Sequence, residues 1–233
     1  MWPSSLVHLG DIKPGRAPCT EDRYRRVADL LRASAKPVFI VPGDNEWNGC
    51  ADPGAAWTLW KKYFLRMDSL WGNPYRVSRQ PGRRENFAFV RGGVLFAGVN
   101  LVGPLVIRRA EWKRRLARNA SWIRRHFRLR AGGVRRAVVF AHYGKRRPHG
   151  LYSDFFAALA GAARAFKKPV LFLHGQFHAW EVQRGFLAKN ITRVMAAGGS
   201  APPQRVIVTL DANTPFRFPG RDAPGDSALA GEG

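Results

Sequence analysis

Four short apolar runs in this chain end in side chains that can bind a metal ion or a phosphate. Leu6, Val7, His8 and Leu9 lead into Gly10 and Asp11, and the run at 37–41 leads into Pro42, Gly43, Asp44, Asn45 and Glu46. The run at 134–141 ends in His142, and the run at 169–173 ends in His174, Gly175, Gln176, Phe177 and His178. Carboxylate oxygens and imidazole nitrogens without a thiolate suit Mn, Fe, Zn or Mg. Such an ion polarises a phosphoryl group and lowers the pKa of bound water, which makes a nucleophile. Each signal alone is weak, because a Gly-Asp pair is often just a turn and a lone histidine is often a core residue. The weight comes from four successive run ends behaving alike.

Those residues meet only if the runs are strands of one α/β fold, whose C-terminal ends converge on a single crevice. The pattern agrees. Residues 6–9 read as a buried strand, residues 20–33 as a helix with Thr20 as its cap and Val27, Leu30 and Leu31 as its stripe, and residues 37–41 as a second strand. Strand, helix, strand favours parallel pairing through the crossover helix. Further helices are expected at 53–67, with Trp57, Trp60, Tyr63 and Phe64 as packing residues, and at 109–127, with Trp112, Leu116, Ile123 and Phe127 turned inward. Another is expected at 152–166. Residues 71–84 read as a long loop, and 87–91 with 94–99 as a hairpin around Gly92 and Gly93. Residues 182–194 and 206–210 read as strands of a second sheet. From 219 onward the chain is Gly, Pro, Ala, Asp and Ser, a disordered tail by composition.

At 233 residues, with 45% apolar residues, the chain can build one sizeable core. No apolar run is long enough to span a membrane. The first residues carry neither a basic leader nor a long apolar stretch, so they do not read as a signal peptide. Read as it stands, the chain is cytoplasmic. The net charge is +23, and residues 108–147 hold fifteen Lys or Arg against one acid, Glu111. That field attracts phosphates, nucleic acid or anionic lipid, although arginine is also an ordinary solvated surface residue. The cations fall on all sides of the helix expected at 109–127, and no nucleic-acid reader motif is present. After His142, Lys145, Arg146 and Arg147 are candidates for a substrate-facing loop. Cys19 and Cys50 make no zinc knuckle. They follow neighbouring strand ends, so either a disulfide or two unpaired thiols fits, and a disulfide would favour a periplasmic or secreted protein.

The ordered motifs Val7-His8-Leu9-Gly10-Asp11, Pro42-Gly43-Asp44-Asn45-Glu46-Trp47, His142 and Gly175-Gln176-Phe177-His178 resemble those of the calcineurin-like metallophosphoesterases, in the branch with a Gly-Asp-Asn-Glu-Trp second motif. The resemblance spans about residues 6 to 210. It implies an α/β fold, a four-layer αββα sandwich of two mixed sheets over residues 1–218, here lacking its first strand. It also implies metal-dependent hydrolysis of a phosphate monoester or diester in a phosphate-containing small molecule. Asp11 then corresponds to the carboxylate that bridges two metals, Asp44 to a metal-binding Asn, and Asn45 to the catalytic His that contacts the phosphate. His142 matches a ligand of the second metal with a part in catalysis. Gln176 and His178 hold the two positions of a Gly-His-x-His motif, and His174, one residue before it, is an additional candidate. The opening Asp-x-His motif has no counterpart. The first metal keeps only Asp11 and His178, the second keeps Asp11, Asp44, His142 and Gln176, so one divalent ion is expected more readily than two. An amide at Asn45 has no titrating proton and cannot act as a general acid. The alternatives to a working enzyme are a catalytically inactive phosphoesterase-like protein or a basic nucleic-acid-binding protein.

Overall fold

The structure, a computed structural model, describes residues 4–72, 75–145 and 150–221. Its first unit is β1 (Leu6–His8), α1 (Glu21–Arg32) and β2 (Val38–Ile40), and β1 pairs with β2 in parallel, His8 opposite Ile40. Helix α2 (Pro53–Phe64) follows, its N-terminus capped by Asp52, whose carboxylate accepts from the Gly54 and Ala55 amides. Then come β3 (Ser78–Gln80), β4 (Arg83–Arg91), β5 (Val94–Gly98), α3 (Arg109–Arg130), β6 (Arg136–Phe140), α4 (Ser153–Phe166), β7 (Val170–His174), β8 (Glu181–Arg184) and β9 (Ile191–Met195). These seven strands form one mixed sheet in the order β3-β4-β5-β6-β7-β9-β8, with β5, β6, β7 and β9 parallel. A ribbon of β10 (Ile207–Val208) and β11 (Phe216–Arg217) closes the described chain.

Period-two alternation builds the layers. In β6, Ala137 and Val139 face the core shared with α3 and α4, while Val138 and Phe140 face the opposite core. In β2, Phe39 joins Phe140, Phe87 and Leu171 in that same inter-sheet core, while Val38 and Ile40 point the other way onto Tyr24, Ala28 and Trp60 of α1 and α2. Both faces of each central strand are therefore buried, as a strand with helices beyond it requires. The result is helices, small sheet, large sheet, helices: the four-layer αββα sandwich. The small-sheet layer consists of two separate two-stranded pieces, and among the described residues no strand pairs with the outer edge of β1.

Several local expectations are corrected. Leu30 is 74% exposed, and the buried face of α1 is Tyr24, Ala28 and Leu31. Thr20 occupies the N-cap position but makes no side-chain capping bond, leaving Glu21 and Asp22 to meet the helix dipole. Residues 71–84 are not one loop: β3 and the start of β4 form a hairpin there, turning at Gly82 with φ +71°. Strands β8 and β9 extend the large sheet rather than a second one, because β9 hydrogen-bonds alongside β7. The arginines do not ring α3. Lys113, Arg114, Arg118, Arg124, Arg125 and Arg128 are all exposed, Arg130 at the helix's C-terminal end borders a small pocket against the sheet, and Arg115 is buried. There its guanidinium lies 5.1 Å from the Trp47 ring and 4.8 Å from the Trp112 ring, with Glu111 one helical turn away as its ion pair. Arg146, Arg147 and most of the tail beyond 219 lie outside the described residues.

Candidate metal centre

The tips of β1 and β2 touch because the residues there are glycines. Gly10 adopts φ +87°, and any side chain on it would collide with the Gly43 backbone and with His142. A side chain on Gly43 would collide with the Asp11 amide. This close approach puts Asp11 beside Asp44, and His142 arrives from the end of β6. The ligand atoms of these three residues all lie within 4.8 Å of one another.

His142 is the best defined of the three. It is 1% exposed, and its Nδ1 donates to the Leu9 carbonyl at 2.7 Å. A carbonyl can only accept, so the proton of the neutral ring sits on Nδ1 and the lone pair is on Nε2. That Nε2 is buried and faces Asp44 Oδ1 at 3.0 Å and Asp11 Oδ1 at 3.4 Å. Donors bound at about 2.1 Å stand roughly 3.0 Å apart at neighbouring octahedral positions and about 3.4 Å apart at tetrahedral ones. The two spacings from His142 Nε2 are thus those of neighbouring donors on one divalent ion.

Without an ion a proton takes its place. Burial works against a charged His142, yet the Asp44 hydrogen bond and the charges of Asp11, Asp44 and Glu46 prevail and push it up to about 9. Burial and the Asp44 charge raise Asp11 against the pull of His142, while Asp44, despite its burial, is lowered by its bond to His142. The folded chain therefore holds a proton on His142 that the unfolded chain releases above its ordinary 6.5. Its stabilisation is full below pH 6.5 and is lost as pH rises through about 9. The metal-free chain is expected to lose on the order of 3 kcal/mol between pH 6.5 and 9. A divalent ion should remove most of that dependence, because it replaces the proton. Urea titrations across this range, with and without Zn2+, check it, and a flat metal-free profile would contradict the geometry.

Asn45 does not face an open space. Its amide donates to Asp11 Oδ2 at 2.8 Å and to the Lys13 carbonyl at 3.3 Å, and its backbone N–H donates to Asp11 Oδ1 at 3.1 Å. Gln176 stands by Asp44: the Gly175 and Gln176 amides both donate to the His142 carbonyl, and the Gln176 side-chain nitrogen flanks Gly103 together with Asp44 Oδ1. Its Oε1 is buried without a hydrogen-bond partner, so it is a spare donor atom for a ligand. His178 is exposed, has φ +57° and lies outside the triad, although its charge reaches Asp11. His174 is fully buried behind His142, packed on Gly144, with both ring nitrogens unpartnered. Lys145 is half-buried, with its ammonium 5.9 Å from the Phe177 ring.

Sequence reasoning gave Glu46 no role, yet it is wholly buried and accepts from the Gly43 amide at 2.5 Å and the Asp11 amide at 3.0 Å. It is the clamp between the two strand tips. Burial, with the Asp11 charge adding, pushes it up to about 7. An acid three residues beyond a glycine at a strand end is the signal that could have found it. Glu46→Gln turns amide donors toward amide donors and is expected to cost about 2 kcal/mol, read as a fall in the urea midpoint. Lys13, 5% exposed, was likewise missed; its ammonium donates to the Ala17 carbonyl at 2.7 Å and holds the loop after Asp11.

No protein-family model matches the chain, and no curated protein does. A solved structure shares its fold. A dimetal phosphatase from Danio rerio superposes with a TM-score of 0.52 at 16% identity, over 83% of this chain and 72% of that one. An anchor in the inner membrane complex of Plasmodium covers 93% of this chain and 65% of its own, with a TM-score of 0.47 at 11% identity. The first likeness defines the class of fold, a mixed α/β sandwich of the dimetal-phosphatase type with a candidate metal site of Asp11, Asp44 and His142.

Proposed function

We propose that this protein is a metal-dependent phosphoesterase that hydrolyses a phosphate monoester or diester. The observation that carries the reading is the His142 Nε2 lone pair, fixed by the Leu9 carbonyl and aimed at two carboxylates 3.0 and 3.4 Å away. A divalent ion held by Asp11, Asp44 and His142 supplies Lewis acidity toward a phosphoryl oxygen and a water of lowered pKa. Gln176 is the candidate fourth donor. Because His178 stands outside the cluster, one ion is favoured over two. Asn45 acts as a positioning residue that fixes both oxygens of Asp11, and Lys145 is the described cation nearest in sequence to His142 for meeting the substrate's charge. The Cys19–Cys50 disulfide supports a protein that works in an oxidising compartment.

Calorimetric titration of the metal-stripped chain with Mn2+, beside an Asp11→Ala control, tests the site. One binding event lost in the control, together with Mn2+-dependent release of nitrophenol from p-nitrophenyl phosphate or its diester, is the expected result. Binding without hydrolysis of either ester would leave a metal-binding, inactive relative of phosphoesterases. A second reading, nucleic-acid binding, is favoured by the segregation of cations onto the outer face of α3. Salt-dependent retention on DNA that ignores the metal would support it.

A further inference from the structure

A second charged site lies away from the metal centre, between the C-terminal end of α3 and the edge of the large sheet. A pocket of about 30 Å³ opens there, lined by Arg76, Ser78, His126 and Arg130 over a floor from β4 and β5 that includes Leu95. Leu95 stands near the start of β5, beside the first residues of β6. His142 follows the other end of β6, so the length of that strand separates the two sites.

His126 is the unusual member. It is 94% buried by its 6% exposure, with the Trp122 ring edge-on at 4.1 Å. Its Nε2 is enclosed and has no hydrogen-bond partner. A buried polar nitrogen left unpaired is costly, and the ring that carries it lines the adjoining pocket. Room of this size admits one or two small polar groups. Neither Arg76 nor Arg130 has a carboxylate partner among the described residues, and no acid lines the pocket. Arg76 is held there with a backbone φ of +49°, a conformation that non-glycine residues adopt at a cost. Two free guanidiniums, a hydroxyl and an imidazole N–H around a small polar hollow are donors without an acceptor.

We propose that Arg76, Ser78, His126 and Arg130 form a binding site for a phosphate group, distinct from the metal centre. The two arginines supply charge and forked donors, Ser78 and His126 supply single directed donors, and the apolar floor limits depth to the oxygens of one tetrahedral anion. Burial and the charges of Arg130 and Arg125 hold His126 near 4, so the ring is neutral at pH 7 and binds through an N–H rather than as a cation. The same chemistry is offered by free inorganic phosphate and by the phosphodiester of a larger ligand.

The test is imidazole NMR of His126 in the full chain with Mg2+ present, titrated at constant ionic strength. The probes are inorganic phosphate and, separately, dimethyl phosphate, with chloride as the exchanged ion. Reading the signal at His126 itself keeps anion binding at the metal centre out of the measurement. Saturable shifts are expected, weakened about 10-fold in Arg130→Gln and unchanged in Arg128→Gln, which removes the same charge from the outer face of α3. Saturation by phosphate alone assigns a free-anion site, and saturation by dimethyl phosphate as well assigns a phosphodiester site. No saturable shift with either probe, or equal weakening in both variants, would overturn the proposal, since the second outcome means only a diffuse basic field.

Discussion

His142→Ala is expected to weaken divalent-metal binding at least about 100-fold, beyond the range seen when an outer partner of a metal ligand is removed, and to abolish metal-dependent phosphoester hydrolysis. The substitution removes the one neutral nitrogen of the cluster, and it leaves Asp11 and Asp44 facing each other with no cation between them. Two neighbouring half-buried carboxylates disfavour each other's ionised form. A divalent ion then restores the lost counter-charge, but it is held by two oxygens in place of three donors. Calorimetry with Mn2+ measures the affinity, and circular dichroism separates it from unfolding. His142→Gln is the companion variant. It offers an amide oxygen at similar reach and should recover part of the binding. Full-strength Mn2+ binding in a folded His142→Ala chain would remove the basis for the metal centre.

Replacing both cysteines, Cys19→Ser with Cys50→Ser, is expected to lower stability by about 3 to 4 kcal/mol. The bond closes a loop with a sequence separation of 31 residues, between Cα atoms 6.0 Å apart. Loop-closure entropy for that length gives a stabilisation of about that size. For a domain of this length the melting temperature should fall by about 10 °C, measured by scanning calorimetry in the absence of reductant. The effect should reach the site as well, because the bond joins the loop that follows Asp11 to the loop that follows Asn45 and Glu46. An unchanged melting temperature would show that the fold already holds these loops without the crosslink.

The site was only partly legible in the sequence, and the dividing line follows physical range. Strand tips were readable because an apolar run followed by a polar residue is a local pattern. That pattern located Asp11, Asp44 and His142, and parallel pairing of β1 with β2 followed from the helix between them. Local periodicity also gave Trp112, Leu116, Ile123 and Phe127 as the inward residues of α3. It failed where a neighbouring element decides the matter. Leu30 looks like a core residue by spacing, but no partner covers that part of α1. Strands β8 and β9 looked like a separate sheet, because nothing local to them reveals that β7 offers a free edge.

What the sequence by itself determined is the inventory: the three candidate metal ligands, their order, the strands that carry them and a strongly basic chain. What only the tertiary structure decided is who faces whom. Glu46 is a clamp, and not merely an acid in a motif, because folding brings the Asp11 amide to it across 35 residues of chain. His178 stands outside the triad because the loop after β7 leaves it exposed, while Gln176, two residues earlier, is drawn in by the His142 carbonyl. Most cations of α3 form an outer face because the inward face was already claimed by aromatic and aliphatic packing. Ligand geometry depends on ångström-scale contacts between segments distant in the chain, and a one-dimensional pattern fixes residue type and period but not those contacts.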